Sequence, residues 1–206
     1  MPTRPIRLLA VVALFAALAP ARVPAAESPR EIVQKLSDAV LAVLGDKSLP
    51  SDEKRHRIEG IVYGSVDFET LSRLVLARNW SRFTPEQQAA FIEEFKKHLA
   101  LTYGKNVESY KNERVAIDSD REEANHDWTV KTRILRGGSD DIRMDYRLRQ
   151  TNGQWKIIDF IIEQVSLVAN YRSQFQDILS GGTPEKLLQL LRDKNARGEP
   201  LKAPHA

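Results

Sequence analysis

Thr151-Asn152-Gly153-Gln154-Trp155-Lys156-Ile157-Ile158-Asp159-Phe160-Ile161-Ile162 decides the fold class. Its Asn-Gly step is a strong hairpin signal, because both residues accept the left-handed backbone that a two-residue turn requires. The run that follows is apolar on both faces, which predicts a strand covered on both sides and placed centrally in its sheet. Upstream, Trp128, Val130, Thr132 and Ile134 alternate with polar neighbours, as do Ile142, Met144, Tyr146 and Leu148. A period of two marks half-buried antiparallel strands. Val115 and Ile117 begin another, and Gly137-Gly138 turns between two of them.

On either side of the strands the period becomes helical. Ser28-Pro29 opens a first helix through Ile32, Val33, Leu36, Val40 and Val43, which Gly45 stops. Ser51 is expected to cap a second helix that runs to about Gly64, and Asp67 a third that runs to about Trp80. Thr84-Pro85-Glu86-Gln87 is the clearest boundary, with a capping Thr, Pro first and Gln placed to close a capping box. The helix beyond carries Phe91, Phe95, His98 and Leu99 on one face, and its pattern allows continuation past Gly104 to Tyr110. After the strands, helices are expected from Asn170 to Gly181 and from Thr183 onward. Helices, then strands, then helices spell an α+β domain with a curved, mainly antiparallel sheet packed by helices.

The N-terminus reads as an export signal. Arg4 and Arg7 precede an apolar run from Leu8 to Ala19. That run is shorter than the roughly 20 residues a membrane span needs. Cleavage is expected after Ala25, leaving one domain over 26–194 and a flexible tail over 195–206. Arg4, Arg7 and Arg22 leave with the signal and no acid does, so the 31 Lys+Arg and 28 Asp+Glu of the whole chain become an even balance. An evenly charged domain lacks the clustered basic excess that nucleic-acid phosphates demand. With no cysteine there is no disulfide framework and no thiolate chemistry.

Chemistry-bearing motifs are sparse. The four histidines show no metal-ligand spacing. No Gly-x-Ser-x-Gly elbow and no phosphate-cradling glycine loop is present. Neither a catalytic residue, a metal nor a cofactor is therefore expected. Asp159 stands out, because a carboxylate in an apolar strand must find a partner. It is expected to pair with a base such as Arg172 or to cap a backbone turn. What remains is an apolar surplus that periodicity alone cannot divide between filled core and lined cavity.

Three blocks in this order resemble the MlaC, or toluene-tolerance, family of periplasmic phospholipid-binding proteins. They are Val66-Asp67-Phe68 with Leu71 to Trp80; Thr84-Pro85-Glu86-Gln87 with Phe91, Phe95 and Tyr103; and Gly153 to Asp159 with Val165 to Phe175. Together they span roughly residues 30 to 192. Two departures fall at backbone positions, Ala77 and Gln164, where the family often has Gly.

The resemblance implies a cone-shaped fold, like that of nuclear transport factor 2 and the cystatins, enclosing a deep apolar cavity. It implies a phospholipid ligand, no enzymatic activity, and a monomer working between an outer-membrane lipoprotein complex and an inner-membrane ABC transporter complex. Inward-facing period and resemblance together assign the lining to Phe68, Leu71, Val75, Val130, Ile134, Met144, Tyr146, Trp155, Ile157 and Ile161. Arg78, Arg172 and Asp159 are candidates for headgroup contact or for structural ion pairs. Two rival readings stand beside this one: an adaptor or chaperone without a small ligand, and a pocket enzyme using Asp159 or Tyr146 as acid/base.

Overall fold

The computed structural model describes residues 27–104, 110 and 112–201. The expected signal segment, and any continuation of the long helix over 105–109, lie outside them. Helices α1 (Pro29–Gly45), α2 (Ser51–Ser65), α3 (Phe68–Leu76) and α4 (Pro85–Tyr103) come first, with a 3-10 turn (Ala77–Arg82) after α3. Strands β1 (Arg114–Glu122), β2 (Trp128–Leu135), β3 (Ile142–Thr151), β4 (Gln154–Ile162) and β5 (Val165–Ser166) follow, then α5 (Leu167–Ser180) and α6 (Pro184–Arg197). The five strands lie in chain order in one antiparallel sheet.

The predicted caps set most boundaries. Ser28 and Glu31 form a capping box at α1, and Thr84 and Gln87 form another at α4. Asp67 accepts from the Thr70 amide at α3, and Thr183 accepts from the Lys186 amide at α6. Pro50 rather than Ser51 precedes α2. Helix α5 starts at Leu167, earlier than expected, because Ser166 accepts from the Ala169 amide. Helix α6 runs to Arg197 with Asn195 buried, past the tail boundary expected at Lys194.

Strand β4 is not central. Among the described residues its outer edge meets only the two-residue β5 and a parallel bridge from Val66 to Ile157. Its unbroken apolar run has another cause. Register slips between Arg147 and Leu148, so that Ile157 faces Leu148 while Asp159 faces Arg147, and Ile158 is the extra residue of a bulge. A bulge changes which face each following side chain takes. Trp155, Ile157, Phe160 and Ile162 therefore share one face, while Asp159 and Ile161 turn to the other.

A second bulge at Asp118 in β1 acts in the same way. Because directly opposed residues share a face, the registers define an apolar surface in transverse rows. Val115, Ile134 and Ile142 make the first row, and Ile117, Thr132, Met144 and Ile162 the second. Asp120, Val130, Tyr146 and Phe160 make the third, and Glu122, Trp128, Leu148 and Ile157 the fourth.

Helix α1 lies over this face, with Arg30 near Ile117 and Ser37 against the Tyr146 phenol. Beside the β4 edge, α3 to α6 pack around Phe91, Phe95, Tyr171 and Phe175, whose ring centroids are 5.0–5.7 Å apart. Two arginines clasp this bundle. Arg172 of α5 donates from Nε to the Leu74 carbonyl of α3 at 2.8 Å. Arg82 donates to the Leu179 and Gly182 carbonyls at the end of α5, both at 2.9 Å. Each satisfies carbonyls that a helix terminus leaves without intrahelical partners.

Buried His98 ties α4 to α6 through Nδ1 and Asn195 Oδ1 at 3.1 Å, with Asn195 in turn donating to Glu94. Its Nε2 has no partner among the described residues, and burial lowers its pKa from 6.5.

The chain turns from α3 into the 3-10 segment at Ala77, with φ 47° and ψ −124°. A non-glycine residue in such a region costs on the order of 1–3 kcal/mol. Ala77→Gly is expected to raise unfolding free energy by about 1 kcal/mol, after the larger backbone entropy glycine loses. Urea titration reads the gain. Lost stability would mean that the turn is not strained. The depressed His98 pKa implies stability that is complete above pH 6.5 and falls as pH drops through the folded value. Wild type should therefore lose stability relative to His98→Leu as pH is lowered from about 7.5 to 5.5. A pH-independent difference between the two would contradict the assignment.

Candidate functional site

The apolar face of the sheet is unevenly covered. Val130, Tyr146, Leu148 and Ile157 are buried against the helices in the main core. Ile134, Ile142, Met144, Phe160 and Ile162, toward the open ends of β2 and β3, are only half-buried. The same surface thus passes from filled core into a half-covered apolar shelf.

The sequence-derived lining divides accordingly. Leu71, Val75, Val130, Tyr146 and Ile157 belong to the packed core, with Trp155 half-buried against it. Ile134 and Met144 stand on the shelf. Phe68 lies elsewhere, edge-on to Tyr63 at 5.5 Å and bordering an open recess of about 630 Å³ with Asp67, Thr151 and Lys156. Ile161 is a correction. It pairs with Asp145 on the opposite, polar face, because the Ile158 bulge breaks the even spacing on which the expectation rested.

The charged candidates are also placed differently. Arg172 bonds a backbone carbonyl and not Asp159. Arg78 is exposed, with no ion pair among the described residues. Asp159 takes the turn-capping role. It accepts from Ser166 Oγ at 2.5 Å and from the Val168 amide at 3.0 Å, tying β4 to the first turn of α5. Arg147 stands across the strand pair from it, and its positive charge favours the ionised carboxylate. Burial raises the Asp159 pKa, and the Ser166 hydroxyl and Val168 amide oppose that rise.

Tyr146 faces the helices and Asp159 the other side of the sheet, so the two groups named as acid/base candidates do not converge. Burial pushes the Tyr146 phenol up to about 12, which holds its proton at neutral pH. Among the described residues no cluster of three metal-ligating side chains occurs. The shelf offers a half-buried apolar surface suited to hydrocarbon.

Sequence reasoning missed Arg82, Arg147, Arg30 and Asp120. Arg82 and Arg147 act on partners distant in sequence, which no local pattern reveals. Asp120 carried a usable signal, as an acid close to the apolar alternation of β1, but the Asp118 bulge hid which face it takes.

Family models match the MlaC protein family over residues 34–193. The toluene tolerance protein ttg2D of Pseudomonas putida is 27% identical over 180 residues, which are 84% of this chain and 80% of that protein. A solved phospholipid-binding protein from Ralstonia solanacearum, in complex with a phospholipid, matches with a TM-score of 0.73 at 29% identity. That match covers 81% of this chain and 96% of the other.

Asp159→Asn should cost about 1–2 kcal/mol in urea unfolding. It should be non-additive with Ser166→Ala, since both remove parts of one cap. Strict additivity in the double-mutant cycle would show that the two side chains act separately.

Proposed function

The chain belongs to the MlaC family, and from that premise we propose that it is a periplasmic phospholipid carrier. It shuttles lipid as a monomer between an outer-membrane lipoprotein complex and an inner-membrane ABC transporter complex, without catalysing a reaction. The single observation that carries the binding reading is the half-covered apolar shelf continuous with the core. The likeness to a protein solved with phospholipid supports it.

The physics of such a carrier is simple. A diacyl lipid exposes on the order of 30 methylenes, so crossing water unaided costs on the order of 25 kcal/mol. A carrier offers apolar surface in exchange for the bilayer, which makes transfer nearly balanced and leaves direction to its partners. Acyl chains bind along Ile134, Ile142, Met144 and Ile162 and extend inward toward Val130 and Tyr146 as α1 yields. The deep cavity is then this shelf, opened by its occupant. Leu71 and Val75, already packed between helices, act as its floor.

Native mass spectrometry of the purified protein tests this. About one phospholipid per chain is expected in wild type. The double variant Ile134→Asp, Met144→Asp should fold and lose that lipid, whereas Ile161→Thr on the far face should keep it. Lipid retained in the folded double variant would overturn the shelf as the binding surface. A wild type that stays lipid-free after incubation with vesicles would overturn the carrier reading.

A further inference from the structure

The apolar face has one polar border. On β1, at the edge of the sheet, the third and fourth rows carry Asp120 and Glu122 where the inner strands carry apolar side chains. Arg30, from the first turn of α1, reaches this border. Its Nη1 lies 3.7 Å from Asp120 Oδ1, and its Nη2 donates to the Ile117 carbonyl at 3.4 Å. The Trp128 indole Nε1–H donates to Asp120 Oδ2, also at 3.4 Å.

All three contacts are long. The other arginine–carboxylate pairs among the described residues are shorter than Arg30–Asp120, with Arg149–Asp127 at 2.7 Å, Arg133–Asp118 at 2.8 Å, Arg197–Glu199 at 3.3 Å and Arg192–Glu94 at 3.4 Å. Tight N–H···O contacts between charged groups fall near 2.7–2.9 Å. Arg30 and Asp120 are also open to water, with side-chain exposures of 48% and 29%. The border therefore holds two strong donors and one carboxylate that only partly satisfy one another. It lies next to Ile117 and Val130 of the apolar face.

We propose that Arg30, Trp128 and Asp120 form a headgroup site that reads a zwitterionic phospholipid, a phosphodiester bearing an ammonium group. This rests on the carrier reading above and adds the cargo class to it. The Arg30 guanidinium and the Trp128 N–H take the phosphate oxygens, and the Asp120 carboxylate takes the ammonium. A neutral pair of opposite charges thus meets a neutral pair of opposite charges. An anionic glycerol headgroup gains the same phosphate contacts but presents no cation to Asp120, which then faces the phosphate uncompensated. Lipid headgroup and acyl chains are accommodated side by side, the head at the β1 edge and the tails along the inner strands.

The test uses purified wild-type protein incubated with vesicles of equal parts phosphatidylethanolamine and phosphatidylglycerol, with bound lipid then identified by native mass spectrometry. Wild type should load the ethanolamine lipid over the glycerol lipid by about threefold, the scale of one exposed ion pair. Asp120→Asn should abolish that preference while total loading persists. Arg30→Gln should lower loading of both lipids, and Arg30→Lys should restore it. Circular dichroism melts that match wild type establish that each variant folds. Wild type that loads lipid without preference, or an unchanged preference in folded Asp120→Asn, overturns the headgroup site and leaves the carrier reading standing. A wild type that loads no lipid overturns both.

Discussion

A sheet with one apolar face needs cover along the whole of that face, and here the cover stops short. Helices α3 to α6 pack beside the β4 edge and α1 crosses the middle of the sheet. Val130, Tyr146, Leu148 and Ile157 are sealed, while Ile134, Ile142, Met144 and Ile162 remain half-covered. Water against such a surface is unfavourable in proportion to its area. An occupant that covers the remaining part of this face removes that cost. The functional proposal follows from that constraint.

The remaining interactions hold the helices where they leave the shelf open. Asp159 anchors the first turn of α5 to β4 from the polar side of the sheet. Arg172 and Arg82 fasten α3 and α5 end to end through backbone carbonyls. His98 joins α4 to α6. None of these groups reaches the apolar face, so the scaffold is fixed independently of whatever lies on that face. Helix α1 touches the sheet through Arg30 and Ser37.

Much of the fold was legible in local patterns. Ser28 before Pro29, Thr84 with Gln87, Thr183 before Pro184 and the Asn152-Gly153 turn are all short-range signals, and each sits where the pattern placed it. The site was legible only in part, for a physical reason. Which face a strand residue takes depends on its partner strand, and the bulges at Asp118 and Ile158 reset that parity partway along β1 and β4. Ile161 therefore moved to the polar face and Phe160 and Ile162 to the apolar one. Likewise Arg172 and Arg82 find backbone carbonyls that sequence does not distinguish from any others. Leu71 and Val75 followed the helical period correctly, but period cannot separate a packed core from a lined pocket.

The central claim is that acyl chains lie on the half-covered end of the sheet. A phospholipid carrying a photoreactive diazirine within one acyl chain, loaded into wild-type protein and irradiated, tests it by peptide mapping of the crosslinks. The account predicts crosslinks on Ile134, Ile142, Met144, Phe160 or Ile162. Crosslinks confined to the polar face around Ile161 and Arg147, or to the recess beside Phe68, would contradict it.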